Sequence, residues 1–463
     1  MKEKWKNLSP QMQQKLKSTW EAMIDPQSKE SLRDQLDTTE RGKVSQSIHN
    51  CMMVLQEDSL LQGAIRFNLL AGRVEIVKDL GWKRSEKNLT DTDMNYLYLY
   101  LERNYGLTSE RKIDRAISII ANENQYHPIR ERLNALQWDG TERIRYALHR
   151  FLGADASDYT YESLKLFMMG AIHRVFQPGC KFELMLCLVG EQGTGKSTFF
   201  RLLAIEDDWF SDNLRNLEDE NVYRMLQGHW IMEMSEMIAT ANARSIEEIK
   251  SFLSRQKETY KVPYEVHPAD RPRQCVFCGT SNALDFLPLD RSGNRRFVPV
   301  MTHPELAEVH ILDDEEEARA YFLQMWAEAM EIYRSGQFKL IFSVGMEKQL
   351  KEIQKDFMPE DSIAGIIIAW LDDCKEDYVC SRMIFAEALN HPYDEPKSWQ
   401  LREINDVMNH QVSDWMPGSQ HRFPKYGQQR SWVRKQTGVN GAENMGDGFV
   451  KVLEQMELPF KNE

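Results

Sequence analysis

The sequence predicts an α/β fold: a P-loop nucleotide-binding core, preceded by a mainly helical N-terminal region and followed by a small domain of helices and a β-hairpin. Three observations carry that expectation. The apolar run Leu184–Val189 leads directly into Gly190-Glu191-Gln192-Gly193-Thr194-Gly195-Lys196-Ser197-Thr198 and then into the amphipathic Phe199, Phe200, Leu202 and Leu203. A second apolar run ends in carboxylates, at Trp230-Ile231-Met232-Glu233-Met234-Ser235-Glu236. A third, Cys275–Gly279, ends in the polar Thr280-Ser281-Asn282. Short apolar runs of strand length interleaved with helical periods read as the sheet and helices of such a core.

The glycine-rich stretch has a physical rationale. Glycines let the chain curl until successive N–H groups face inward, and the following helix adds partial positive charge at its N-terminus. A polyphosphate is then held mostly by main chain. Gly190, Gly193, Thr194, Gly195, Lys196, Ser197 and Thr198 fit G-x-x-x-x-G-K-S with a strand before and a helix after. Lys196 is placed to reach the β- and γ-phosphates, and the Ser197 hydroxyl to ligate Mg²⁺. ATP and Mg²⁺ are the expected ligands.

The other two runs add acid and amide. Glu233 is expected at the end of its strand, holding Mg²⁺ through water, and Glu236 in the following turn, polarising the attacking water; spacing leaves open which carboxylate has which role. Asn282, leaving its strand beside the P-loop, can orient water or contact the γ-phosphate. Arg295 and Arg296 sit in a turn just before the apolar Phe297–Val300. Arginine suits the bracing of transition-state charge on a phosphate, within one subunit or across an interface.

Composition bounds the rest. The 463-residue chain carries a net charge of −13, which argues against a generally basic nucleic-acid coat but leaves room for a local basic surface. No apolar run approaches the roughly 20 residues needed to span a bilayer. Seven cysteines in a chain with no cleavable apolar leader read as cytoplasmic thiols. Cys275 and Cys278 read as buried strand cysteines, because structural zinc needs four ligands.

Residues 1–130 read as mainly helical. Apolar residues recur at helical spacing from Lys43 to Leu80, including Ile48, Met52, Leu55, Ile65, Leu69 and Leu70. Thr90-Asp91-Thr92-Asp93 reads as the cap of a helix over Met94–Tyr105 ended by Gly106, with another helix from Ser109 to Glu123. The Asp91/Asp93 pair is therefore capping rather than the metal site of a polymerase or primase. Residues 131–335 comprise a helical collar, begun by Trp138-Asp139-Gly140, and the P-loop core.

Taken in order, Trp138-Asp139-Gly140, Gly190–Thr198, Glu233-Met234-Ser235-Glu236, Tyr260–Tyr264, Gly279–Asn282 and Gly293-Asn294-Arg295-Arg296-Phe297 resemble the virulence-associated protein E family. These are AAA+ ATPases similar to superfamily 3 helicases, carried by phages, plasmids and pathogenicity islands. The resemblance covers roughly residues 45–335. It implies an AAA+ (superfamily 3-like) fold and a hexameric ring that hydrolyses ATP between subunits and moves on DNA. By position it makes Gly190, Gly195, Lys196, Ser197 and Thr198 Walker A and Glu233 and Glu236 Walker B. Asn282 becomes sensor 1, and Arg295 or Arg296 the finger reaching a neighbour's γ-phosphate. Lys257, Lys261 and Arg271 fall where such proteins place a DNA-contacting hairpin. Many relatives carry an N-terminal primase domain; the helical first 130 residues, without a strand-borne acidic pair, argue against priming here.

Residues 336–360 read as a helical connector. Over 361–440, three short helices and a basic two-stranded hairpin give a winged-helix outline. From His421 to Lys435 the sequence holds no acid, and its cations Arg422, Lys425, Arg430, Arg434 and Lys435 are interleaved with aromatics. That mixture suits phosphate neutralisation with stacking, so DNA contact is expected there. The tail, 441–463, is polar.

The expected function is therefore an ATP-dependent DNA helicase or initiator-helicase acting in replication of a phage or other mobile element. Expected partners are DNA, copies of itself and replication proteins, in the cytoplasm of a bacterial host and away from membranes. The alternative is a non-helicase AAA+ regulatory or interference ATPase that binds a partner protein.

Overall fold

A computed structural model describes residues 26–214, 217, 222–235, 243–260, 269–287, 294–359 and 362–435. The chain divides into two compact units, Met1–Pro359 and Glu360–Glu463.

The first unit begins with α1 (Pro26–Asp34) and α2 (Ile48–Glu57), then a hairpin of β1 (Ile65–Asn68) and β2 (Arg73–Ile76). Helices α3 (Asp91–Tyr105) and α4 (Glu110–Glu123) follow, and β3 (Gln125–Tyr126) returns to pair with β1. The helical spacing read across Ile65, Leu69 and Leu70 is thus overturned. Asn68 breaks the period: its Oδ1 accepts from the N–H groups of Leu70 and Ala71, a side-chain turn that folds the chain back. Alternate residues of both strands then face one core with α2, α3 and α4, built on Leu55, Ile65, Ile76, Leu97, Ile113 and Ile117. Helix α3 starts where its cap was read. Thr90 accepts from the Asp93 N–H, and the Asp93 carboxylate accepts from the Thr90 N–H and hydroxyl, from Trp82 and from Arg84. Asp93 is engaged in capping and packing.

Helices α5 (Pro128–Ala135), α6 (Ile144–Leu152) and α7 (Asp158–Phe176) form the collar. His127 caps α5, its Nδ1 accepting from the Arg130 N–H, while its Nε2 lies 2.8 Å from Gln274 Oε1. Glu328 caps α6, accepting from the N–H groups of Arg143 at 2.6 Å and Ile144 at 3.0 Å.

The centre is a parallel sheet of β4 (Met185–Val189), β5 (Phe210–Ser211), β6 (Ile231–Ser235), β9 (Val276–Ser281) and β10 (Phe297–Met301). Its order is β10-β4-β9-β6-β5, with every pairing parallel. All of β4 is buried, as a strand covered on both faces must be, which explains its unbroken apolar run. Helix α8 (Lys196–Leu203) follows β4, and α9 (Val222–Met225) and α10 (Ala243–Ser254) flank β6 in sequence. Between α10 and β9 stands an antiparallel hairpin, β7 (Lys257–Tyr260) and β8 (Ala269–Pro272). Helices α11 (Glu315–Ser335) and α12 (Val344–Lys355) complete the unit, packed with α7 and α8 through Phe322, Trp326 and Leu350.

The second unit consists of α13 (Ser362–Asp373), β11 (Tyr378–Val379), α14 (Ser381–Met383) with a wider turn over Ile384–Ala388, α15 (Ser398–His410), β12 (Trp415–Phe423) and β13 (Gly427–Arg434). Its antiparallel sheet has the order β11-β13-β12. Ile367, Leu371, Val379, Phe385, Ile404, Val407, Trp415 and Trp432 form its core. Among the described residues no helix is long and apolar enough to cross a membrane.

Candidate functional site

Because the sheet is parallel, β4, β6 and β9 end at one edge, where open α/β sheets gather ligands. The loop after β4 is shaped by its neighbours. Gly190 has φ +154°, and a Cβ there would stand 2.2 Å from Thr302 Oγ1 and 2.8 Å from the Thr302 carbonyl. Gly193 and Gly195 also take positive φ, at +83° and +85°. The loop closes around Lys196, whose Nζ donates to the carbonyls of Gly190 at 2.9 Å and Glu191 at 2.6 Å, to Thr194 Oγ1 at 3.3 Å and to Asn282 Oδ1 at 3.1 Å. Strand β9 lies between β4 and β6, so its end delivers Asn282 to this lysine.

Across β9, the Ser197 hydroxyl donates to Glu233 Oε1 at 2.8 Å. The same oxygen accepts from Ser235 at 2.9 Å and Thr280 at 2.5 Å. Glu233 is fully buried, and its Oε2 has no hydrogen-bond partner among the described residues. A buried carboxylate oxygen without a donor is costly unless something absent completes it. Glu233 sits mid-strand, not at the strand end, because the ladder with β9 continues to Ser235↔Thr280. Glu236 lies outside the described residues. Thr198 lies in the first turn of α8.

Thr280, Ser235 and Thr302 are contributors that motif reading passed over. Thr280 had one signal, a hydroxyl two residues before Asn282 where the apolar run Cys275–Gly279 turns polar. The neighbouring Cys278 is no reactive thiol: burial first, then the Glu233 charge, pushes it well above its usual pKa. Among the described residues no group of three or more histidine, cysteine and acid side chains is placed to hold a metal ion.

Arg295 and Arg296 are not brought to this edge. The Arg296 carbonyl accepts from Met185 N at the start of β4, and Phe297 pairs with Met185. The length of β4, about 17 Å at ~3.3 Å per residue, separates them from the loop that follows it. They occupy the opposite rim, paired with Glu183 at 2.9 and 3.4 Å.

The cations expected to meet DNA divide similarly. Lys257 is exposed at the base of the β7–β8 hairpin and ion-paired with Asp270. Arg271 stands opposite Glu258 in the ladder, and Lys261 lies outside the described residues. In the second unit Arg422, Lys425, Arg430 and Lys435 are exposed. The register Gln420↔Arg430 and Arg422↔Gln428 puts Arg422 and Arg430 on one face of the hairpin. Arg434 instead folds over Trp415, 4.8 Å from the ring centroid, and donates to the carbonyls of Leu371 and Cys374.

A parallel sheet with a glycine loop, a lysine and a serine–glutamate pair converging at its carboxyl edge defines an α/β protein with its candidate site at the strand ends. Residues 133–359 match the family model for the virulence-associated protein E-like domain, and the chain carries that domain. No curated protein matches the sequence. Among solved structures, "The apo structure of NrS-1 C terminal region (305-718)" is 15% identical with a TM-score of 0.43, covering 80% of this chain and 95% of that one. Two A-form apo structures of the same region are 15% and 14% identical, with TM-scores of 0.44 and 0.47, each covering 80% of this chain and 96% of theirs.

Proposed function

We propose that the chain is a P-loop ATPase of the AAA+ superfamily 3-like class, working as a DNA helicase or initiator-helicase in replication of a phage or other mobile element. The observation that carries this reading is Glu233, a fully buried carboxylate with one oxygen saturated by three hydroxyls and the other without a partner among the described residues. That donor set fits a hard divalent cation, with Ser197 Oγ and Glu233 Oε2 as the groups that would hold Mg²⁺. When bound, Mg²⁺ supplies charge neutralisation on the phosphates. Lys196 would exchange its loop carbonyls for the β- and γ-phosphates. Asn282 would orient water, and Glu236 would polarise it.

The rim position of Arg295 and Arg296 supports action on a neighbouring subunit's nucleotide rather than their own, and hence a ring, with six copies as the expected number. The β7–β8 hairpin would contact single-stranded or forked DNA within it. The second unit, read as a winged helix with β12–β13 as its wing, would grip duplex through Arg422, Lys425, Arg430 and Lys435. Replication proteins of the bacterial host cytoplasm are the proposed further partners.

The test is turnover and strand separation by the full chain. ATP hydrolysis should rise on forked DNA, with 3′→5′ unwinding, and Lys196→Ala should abolish both. Robust hydrolysis without unwinding of forked, 3′-tailed or bubble DNA would reject the helicase in favour of a regulatory ATPase that acts on a partner protein.

A further inference from the structure

We infer that Glu183 is a positioning residue that restrains Arg295 and Arg296 and, through Ser254, ties them to the root of the β7–β8 hairpin. The inference rests on the reading of these arginines as groups that act on a neighbouring subunit.

Glu183 stands just ahead of β4, beside the turn that opens β10. Its Oε1 accepts from Arg295 Nη2 at 2.9 Å. Its Oε2 accepts from the Ser254 hydroxyl at 2.7 Å and lies 3.4 Å from Arg296 Nε, which itself donates to Ser254 Oγ at 3.0 Å. One carboxylate thus holds both guanidiniums and the last residue of α10. Burial pushes this carboxyl up, but the Ser254 hydroxyl and the two guanidiniums outweigh it, and the net shift is downward. The Glu183 carboxylate holds its charge at neutral pH.

The two arginines are held unequally. The Arg295 side chain is 68% exposed and that of Arg296 only 20%. An exposed ion pair is weak, so a phosphate presented by a neighbour competes for Arg295 with Glu183. Arg296, bonded to both Glu183 and Ser254, senses the helix end. That helix end and the hairpin form one body. Arg273, which follows β8, is buried between the rings of Phe252 and Phe277, 4.6 and 5.0 Å from their centroids. It donates to the Phe252 carbonyl and pairs with the buried Glu258 of β7. A force on the hairpin therefore reaches Ser254, and through it the carboxylate that retains the arginines. DNA engaged by the hairpin frees the arginines, and without DNA they stay latched.

The two variants separate latch from tie. In the full chain, Glu183→Gln should raise the DNA-free ATPase rate and compress the stimulation by forked DNA roughly fivefold or more, the lower end for coupling between sites. Ser254→Ala keeps the latch and cuts the tie, so the DNA-free rate should stay at the wild-type level while the stimulated rate falls toward it. Unchanged rates in E183Q would overturn the proposal. So would a parallel fall of both rates with melting temperature, the pattern of a merely structural residue. An Arg295→Ala/Arg296→Ala double variant hydrolysing ATP like wild type, or a wild type indifferent to DNA, would overturn the reading beneath it. An inactive double variant beside an unaltered stimulation ratio in E183Q would overturn the coupling alone.

Discussion

Alanine substitutions at the three loop glycines should cost different amounts, and the geometry ranks them. At Gly193 a Cβ meets nothing within 4 Å, so Gly193→Ala incurs only the positive-φ strain, about 1–2 kcal/mol for an L-residue. At Gly195 the nearest atom is Ile311 Cγ2 at 2.7 Å, the end of a side chain that can yield. At Gly190 the obstacles are the Thr302 hydroxyl at 2.2 Å and its carbonyl at 2.8 Å, and Thr302 is itself fixed, bonded through N and Oγ1 to the Val189 carbonyl. Forcing a methyl into that contact adds the roughly 1–3 kcal/mol typical of overpacking. Gly190→Ala should therefore melt below Gly193→Ala by about 2–12 °C, at ~2–4 °C per kcal/mol in a large domain. Thermal scans of the ligand-free proteins read this directly. Adding Thr302→Ala to Gly190→Ala should recover only part of the loss, since the carbonyl clash remains. Gly190→Ala melting at or above Gly193→Ala would refute the close approach of β4 and β10 at this loop.

Two other perturbations follow from buried charge. Burial, above all, lowers the His127 pKa from its ordinary 6.5 to about 4, and the ring is held neutral with Nδ1 accepting from the Arg130 N–H. The unfolded chain binds this proton more readily, so stability is fully present above about pH 6.5 and is lost as pH falls toward 4, by about 3 kcal/mol. His127→Asn, which keeps a capping side chain but does not titrate, should flatten that part of the melting-temperature profile; an unchanged acid slope would refute the assignment. Arg273→Met leaves the buried Glu258 only the longer, half-exposed pair with Arg255 at 3.8 Å and should destabilise by up to about 3–5 kcal/mol, read as a fall in melting temperature, whereas an unshifted transition would show that the pair is not sealed from water.

What could be read in the sequence was whatever local chemistry dictates. Thr90 and Asp93 announced a helix start because a capping box is a contact between residues three apart, and Leu184–Val189 announced a strand because both its faces are buried. The hairpin at Ile65–Ile76 was hidden. Its residues also satisfy a helical period, and the Asn68 side-chain turn that decides the matter carries little weight in a periodicity count. At the site, Lys196, Ser197, Glu233 and Asn282 could be named from their strands, but their contacts depend on β9 lying between β4 and β6, which no spacing encodes. Glu183 was invisible for the same reason. An acid before an apolar strand is unremarkable until β10 sets two arginines and β4 side by side.

The placement of β10 also bears on how the chain is made. The strand that carries the glycine loop has two neighbours, and one of them, β10, is the last strand of the sheet to be synthesised, so Met185 waits for Phe297. At ~5–20 residues per second that interval is on the order of ten seconds on the ribosome. Throughout it β4 presents an apolar edge of unpaired backbone groups, the template other chains can join. A nascent chain halted after β9 would hold every candidate residue from Gly190 to Asn282 and still leave that edge open.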